Sequence, residues 1–312
     1  MMRKLLIVMV LTAVALPVIG FAAFGPPDDL EFSEYASPPS AAVQEDWFGH
    51  IGVKVLLLGA SLLVAVFLSK RFFTNRRLRK VYLLINVAVL GFAVGGMLCP
   101  ISAIQNIFIK YNTVYLLLFF LPILSTLLFG RVYCGWVCPF GAVSEWLFVK
   151  KWAVRIPKKW DRFLKWTRWG VLVFLVGRIL LGAHVADDWT PFKNLFTFGG
   201  SLTNWILTGA FLGLSIISYR PFCKYLCPYG AIMSLVSRFS FRKVALDDSC
   251  VRCGQCEKQC GMQALEIPGD PDGDCILCGE CASSCRRSSI AVSPKSQQKC
   301  SQTKEILKEE KI

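Results

Sequence analysis

Eight cysteines stand in two runs of one spacing, "CVRCGQCEKQC" from Cys250 to Cys260 and "CILCGECASSC" from Cys275 to Cys285, with 14 residues between them. Each run reads Cys-x2-Cys-x2-Cys-x3-Cys. Three thiolates on one tight loop can take three corners of an iron–sulfur cubane, while the fourth has already turned away and reaches the neighbouring cluster. The spacing therefore predicts two [4Fe-4S] clusters. One is assigned to Cys250, Cys253, Cys256 and Cys285, the other to Cys275, Cys278, Cys281 and Cys260. Gly254 and Gly279 fall where each loop must bend close to its cluster, and glycine relieves the strain of that bend. Zinc ribbons space their pairs differently. Disulfides do not suit a reducing compartment.

A second cysteine pattern is repeated. "RVYCGWVCPFGA" (Arg131–Ala142) and "RPFCKYLCPYGA" (Arg220–Ala231) lie 89 residues apart, and each directly follows an apolar run. Arg131 pairs with Arg220, Cys134 with Cys223, Cys138 with Cys227, and Pro139 with Pro228. A Cys-x3-Cys spacing puts both sulfurs on one face if the segment is helical. Two such pairs meeting at a repeat axis offer four thiolates, Cys134, Cys138, Cys223 and Cys227. These suit a third cluster, another thiolate-bound metal, or a dithiol relay, and buried structural cysteines are the plain alternative. The sequence leaves these open.

The elements that must position these groups are apolar. Hydrophobic residues make up 54% of the 312-residue chain, and mean hydropathy is +0.49. We read six runs long enough to cross a hydrocarbon core: Leu5–Phe24, Ile51–Leu68, Val81–Leu98, Val114–Gly130, Trp169–Val185 and Leu202–Tyr219. The expected fold is a polytopic α-helical membrane protein of five or six spans with two repeated hairpins and a small C-terminal α+β unit. The net charge of +14 is unevenly placed. Lys70–Lys80 carries six positive charges and no negative ones, whereas Gly25–Gly49 carries six acidic residues and neither Lys nor Arg. The pattern orients the basic loops, the cysteine motifs and the C-terminus towards the cytoplasm of a bacterial or archaeal inner membrane. A polybasic surface beside anionic headgroups accounts for the charge, so no nucleic-acid partner is expected.

Along the chain, residues 1–24 are a signal peptide or first anchor, and 25–49 an acidic outer segment. Residues 50–80 are a span with a basic loop, and 81–168 the first hairpin with its motif and an interfacial segment. Residues 169–243 are the second hairpin, 244–292 the two-cluster unit, and 293–312 a flexible tail. The hairpins run in the same sense and form a parallel repeat. In the interfacial segment, Trp146, Trp152, Trp160, Trp166 and Trp169 alternate with Lys and Arg, which suits a headgroup layer. Pro157 is expected to split it into two short helices.

Other polar residues in the apolar runs are candidates for quinone contact. Arg178 lies mid-run, where a charge costs roughly 2.5–3.5 kcal/mol on insertion scales unless it faces protein or a polar cavity. Quinone contact and a structural role are both open to it. His50 and His184 fall at outer ends of spans, where they can accept protons from a quinol, ligate a haem, or simply be solvated. Asp187 and Asp188 adjoin His184 as possible proton carriers. Cys99 is expected to pack, and Cys300 is incidental. No nucleotide loop, Ser/His/Asp set or hydrolase metal motif is present.

Two Cys-x3-Cys-Pro motifs on membrane hairpins followed by a two-cluster run resemble the NapH/NosR group of membrane polyferredoxins, from about Val81 to Val292. The short outer segment resembles the NapH-like form, without the outer flavin domain of NosR-like members. Gly261 and Arg286 stand where the ferredoxin run usually has Pro, a departure expected to loosen those turns. The resemblance implies a quinol-dehydrogenase-type oxidoreductase component, passing electrons between the quinone pool and an unidentified redox partner protein. Direction of flow is open. The rival readings are a redox regulator or maturation factor, and a thiol–disulfide conduit.

Overall fold

The computed structural model describes residues 51–93, 113–180, 195–196, 202–247, 249–265 and 271–294. The first apolar run, the acidic segment, Cys99, His50, His184, Asp187, Asp188 and the tail with Cys300 lie outside the described residues. Helix α1 (Ile51–Arg71) ends on Lys70 and Arg71, a favourable close for the helix dipole. Asn75 caps α2 (Arg76–Asn86), its side chain accepting from the Leu78 N–H at 3.2 Å, and the helix winds on as a π-helix over Val87–Ala93. Helix α3 (Thr113–Phe129) ends one residue before Gly130, whose φ of +80° turns the chain into the first motif.

The motif itself is a π-helical turn, Tyr133–Val137, followed by α4 (Pro139–Leu147). A 3-10 turn over Lys150–Trp152 leads to α5 (Lys158–Leu180). The second repeat carries α6 (Leu202–Ile217), α7 (Pro221–Tyr225) and α8 (Pro228–Arg238). Two expectations are corrected here. Pro157 does not divide the Trp-rich segment into two short helices. Its carbonyl accepts the Asp161 N–H at 2.9 Å, so it starts α5, which runs unbroken through the basic stretch into the apolar one. Nor do the Cys-x3-Cys pairs lie on one continuous helix. Each straddles a helix break, with Cys138 and Cys227 in extended-type backbone and proline opening the next helix.

Among the described residues one helix is long and apolar enough to cross a membrane, Gly52–Arg71, with mean hydropathy 2.2; the apolar stretches Leu116–Phe129 and Trp205–Ile217 are shorter. Large apolar side chains face outward on several helices, including Leu63 (73% exposed) on α1, Val173 (71%) on α5 and Ile206 (64%) on α6.

The C-terminal unit is an antiparallel ribbon, β1 (Arg242–Leu246) with β2 (Ile290–Pro294), in register Arg242↔Pro294 to Leu246↔Ile290. It closes around two one-turn helices, α9 (Gln255–Gln259) and α10 (Glu280–Ser284). One core joins this unit to the helices: Val132, Tyr133, Trp136 and Val137 pack in the same cluster as Val244, Leu246 and Leu277. The Trp136 indole N–H donates to the Leu277 carbonyl at 2.9 Å.

Candidate metal centre

Both hairpin motifs are built from the same local device. Proline at the first helical position has no N–H to leave unsatisfied, so the preceding cysteine becomes the cap. The Cys227 sulfur accepts the Gly230 N–H at 3.3 Å, and Cys138 holds the same cap position without a side-chain cap bond. Glycine is required at both places by close approach. A Cβ on Gly141 would lie 2.8 Å from the Arg220 guanidinium, and one on Gly230 would lie 3.1 Å from the Cys223 carbonyl. Each repeat's arginine thus passes over the other repeat's glycine, Arg131 standing near Gly230 in turn.

This crossing gathers the four hairpin cysteines into one electrostatic group. Cys138 feels Cys223 and Cys134, and Cys223 feels Cys227 and Cys134. Burial pushes the Cys138 thiol up, reinforced by Cys223, and pushes Cys223 up to about 12, reinforced by Cys227. Arg131 reaches the Cys134 sulfur at 3.9 Å, and Arg220 donates to the Cys134 carbonyl.

A buried charge frame holds the two arginines. Glu145 accepts a two-pronged bond from Arg79 at 2.8 and 2.7 Å, a bond from Arg220 at 2.6 Å and the Tyr219 hydroxyl at 2.8 Å. Burial opposes its ionisation, but Arg220 and Arg79 outweigh it and hold the carboxyl at about 2. On the other side, Asp274 accepts from Arg168 at 2.6 Å and from Arg131 at 3.1 Å, with Lys165 at 3.2 Å. Burial again opposes ionisation, and these cations, Arg131 first, hold the Asp274 carboxyl well below the usual range.

The two frames are related by the repeat. The 89-residue offset carries Arg79 onto Arg168, Arg131 onto Arg220, and Glu145 onto Ser234. Ser234 accepts from Arg168 at 3.0 Å but cannot neutralise it. Asp274, from the C-terminal unit and next to Cys275, supplies the carboxylate that the second repeat lacks.

In the C-terminal unit the two runs adopt matched backbone. Gly254 (φ 72°) and Gly279 (φ 75°) cap α9 and α10, and Arg252 and Leu277 share left-handed values of 52° and 51°. Cys275, Cys278, Cys281 and Cys260 line one small cavity of about 20 Å³. Burial pushes the Cys275 thiol up to about 12 and Cys278 up to about 11, and raises Cys281 further. Cys256 faces Cys250 and Cys253, whereas Cys285 sits 3.3 Å from the Ser289 hydroxyl. Gly261 is no loosened turn: a Cβ there would lie 2.6 Å from the Tyr219 ring, so the docked helices exclude proline.

These residues fit iron–sulfur clusters better than single ions. Among the described residues no group of three or more Cys, His, Asp or Glu is drawn tightly enough for one metal ion. A zinc ion would pull four sulfurs to within roughly 4 Å of one another, whereas a cubane binds each thiolate to a different iron. Four sulfurs of the second set, Cys260, Cys275, Cys278 and Cys281, converge on the same small cavity. At the hairpin set, two buried arginines per carboxylate leave surplus positive charge beside buried thiols, and the Arg131 Nε is buried without a hydrogen-bond partner. An anionic thiolate-bound group would answer both.

Comparison with known proteins then places the chain. Residues 111–159 and 202–246 match a 4Fe-4S binding domain family, and the matched stretches contain the hairpin cysteines rather than the eight of the C-terminal runs. The regulatory protein NosR of Stutzerimonas stutzeri is 28% identical over 252 residues, covering 72% of this chain and 34% of that one. The ferredoxin-type protein NapH of Haemophilus influenzae is 33% identical over 153 residues, 45% of this chain and 50% of that one. The putative electron transport protein YccM of Escherichia coli is 30% identical over 192 residues, 52% of each. The chain is similar to the NapH/NosR-like ferredoxin-type proteins. It spans about half the length of most of the curated relatives it matches. No solved structure matches it.

Sequence reasoning singled out the twelve motif cysteines but missed the buried charged groups around them. Arg79, Glu145, Arg168 and Asp274 lie 37 to 143 residues from the motif arginines they frame or pair with. The available signal was the offset itself, since it pairs Arg79 with Arg168. Arg178 falls in α5, and its side chain lies outside the description.

Proposed function

We propose that this chain is a polytopic membrane electron carrier, moving electrons between the quinone pool and [4Fe-4S] clusters on the cytoplasmic face for a redox partner protein. The observation that carries this reading is the contact between the hairpin cysteines and the two-cluster unit. Cys134, Cys260, Cys275 and Cys278 pack around one small apolar cluster of Met262, Ala264 and Ile276. That shared packing favours electron exchange between redox groups held on its two sides. Outward-facing apolar side chains on α1, α5 and α6 favour a lipid surround, and the charge pattern favours the cytoplasmic side for the cysteines.

The cluster assignment is that drawn from the spacing: Cys250, Cys253, Cys256 and Cys285 for one centre, Cys275, Cys278, Cys281 and Cys260 for the next. Cys134, Cys138, Cys223 and Cys227 would hold a third. When bound, such groups supply one-electron chemistry. The chain's own part is to exclude water, hold the thiolates, and set potential through Arg131 and Arg220. A thiol–disulfide conduit is the rival reading for these four cysteines, and their partial burial gives an outside thiol little access.

The test is anaerobic. Purified protein is mixed with a reduced quinol while cluster spectra and iron per chain are followed. Inhibitor-sensitive exchange with quinol or quinone is expected, with about twelve irons per chain if the hairpin set holds a third cluster and about eight if it does not. Clusters that respond to dithionite yet exchange with neither would remove the quinone reading. They would favour a regulatory role, which the name of the NosR relatives also suggests.

A further inference from the structure

Beside Cys260 lies a cleft of about 280 Å³ whose walls carry Lys150, Arg155, Lys224 and Lys258 and not one carboxylate. Part of this charge is already answered at the rim, by Glu280 with Lys150 at 3.0 Å and by Asp161 and Gln263 with Lys224 at 2.5 and 2.7 Å. Arg155 and Lys258 are exposed and have no carboxylate partner among the described residues. The cleft therefore presents uncompensated positive charge to whatever enters.

Two further features narrow the occupant. The floor includes Cys260, which the assignment above makes a ligand of the second cluster, so a molecule in the cleft would touch a redox centre. The segment forming one wall, residues 148–156, is flanked and interrupted by exposed apolar side chains: Trp146 at 53%, Val149 at 40% and Trp152 at 61%. Such a rim suits an apolar tail at a headgroup layer. An inorganic anion would use the cations and ignore the rim. An anionic lipid would use both but gain nothing from Cys260.

We infer that this cleft is where the ring of a quinone or quinol docks, with its tail along the Trp146–Trp152 rim and its oxygens facing Arg155 and Lys258. The site rests on the membrane electron-carrier reading and deepens it. Oxidation of one quinol releases two electrons and two protons. The electrons would leave singly to the [4Fe-4S] clusters that Cys260 and the other C-terminal cysteines would hold, and the protons would pass to water at the open side of the cleft. Arg155 and Lys258 stabilise the negative charge on the ring oxygens as those protons leave, and reduction of a quinone runs the same balance backwards. This places exchange at the cysteine end of the molecule, away from Arg178, His50 and His184.

The test compares wild type, Arg155→Glu and Lys258→Glu in detergent, with decyl-ubiquinol and menadiol as probes and stopped-flow cluster reduction as the readout, or the corresponding quinones and cluster oxidation if flow runs the other way. Reversing either charge is expected to raise the half-saturating concentration about tenfold, the size that loss and reversal of one exposed ion contact supports. Iron content and the dithionite-reduced resonance spectrum should not change. Wild-type exchange with both variants equally fast would overturn the cleft while leaving the quinone reading intact. Wild type that exchanges with no quinone would remove both. Unchanged quinone kinetics with loss of co-purifying anionic phospholipid would show the cleft to be a lipid seat instead.

Discussion

At the scale of single residues, the close-contact glycines make the sharpest predictions. A Cβ on Gly135 would lie 1.9 Å from the Ile276 carbonyl, a backbone atom that cannot swing aside. Gly135→Ala should therefore push the C-terminal unit off the hairpins, costing about 1–3 kcal/mol as overpacking does. Iron retention against temperature would report it. Gly177→Ala, in α5 with nothing within 4 Å of its Cβ, should be neutral or slightly stabilising by the same measurement. Glu145 makes a pH prediction. Its folded value, about 2, lies below the ordinary 4.5, so its contribution is full above pH 4.5 and fades as pH falls towards 2. Thermal midpoints of the helical signal should drop across that window in wild type. Glu145→Gln should lower the midpoint at neutral pH and flatten the drop, since two buried arginines then share an uncharged acceptor.

At the scale of elements, the question is what fixes the C-terminal unit to the helices. Asp274→Ala leaves Arg131 and Arg168 buried without their carboxylate, a loss of about 3–5 kcal/mol by the usual cost of breaking a buried pair. Adding Ser234→Glu returns a carboxylate from the position the repeat dictates. The double variant should recover much of the thermal stability but not the iron content, because Asp274 directly precedes Cys275. Recovery of both would mean that Asp274 merely balances charge. The elements were unevenly legible. The cysteine loops were readable because their spacing is a local constraint, and Gly254 and Gly279 sit where the loops required them. The helix break inside each Cys-x3-Cys pair was not, because the i, i+4 rule presumes an unbroken helix and Pro139 and Pro228 start new ones. Pro157 misled for the converse reason: a proline at a helix entrance is a start signal, and only its bond to Asp161 tells which it is. The carboxylate frame joins residues too far apart in sequence for any local pattern to reveal.

For the whole molecule, the prediction concerns orientation. A fluorescent protein fused after Ile312 should fold and glow, and alkaline phosphatase fused there should be inactive, if the cysteine end faces the cytoplasm. The opposite pair of results would reverse the proposed topology. The repeat itself has a further consequence. Two copies of one chain about a twofold axis make every contact twice, each copy's arginine over the other's glycine, and such a body offers two identical seats to anything that docks on it. Here the seats differ by one side chain. Glu145 fills its own repeat's position and answers Arg79 and Arg220 from within. Ser234 leaves the equivalent place open, and Asp274 enters it. A fused pair that had kept both glutamates would have no preferred side. With Glu on one side and Ser on the other, the molecule has a front and a back, and a docking unit can meet the pair in only one way.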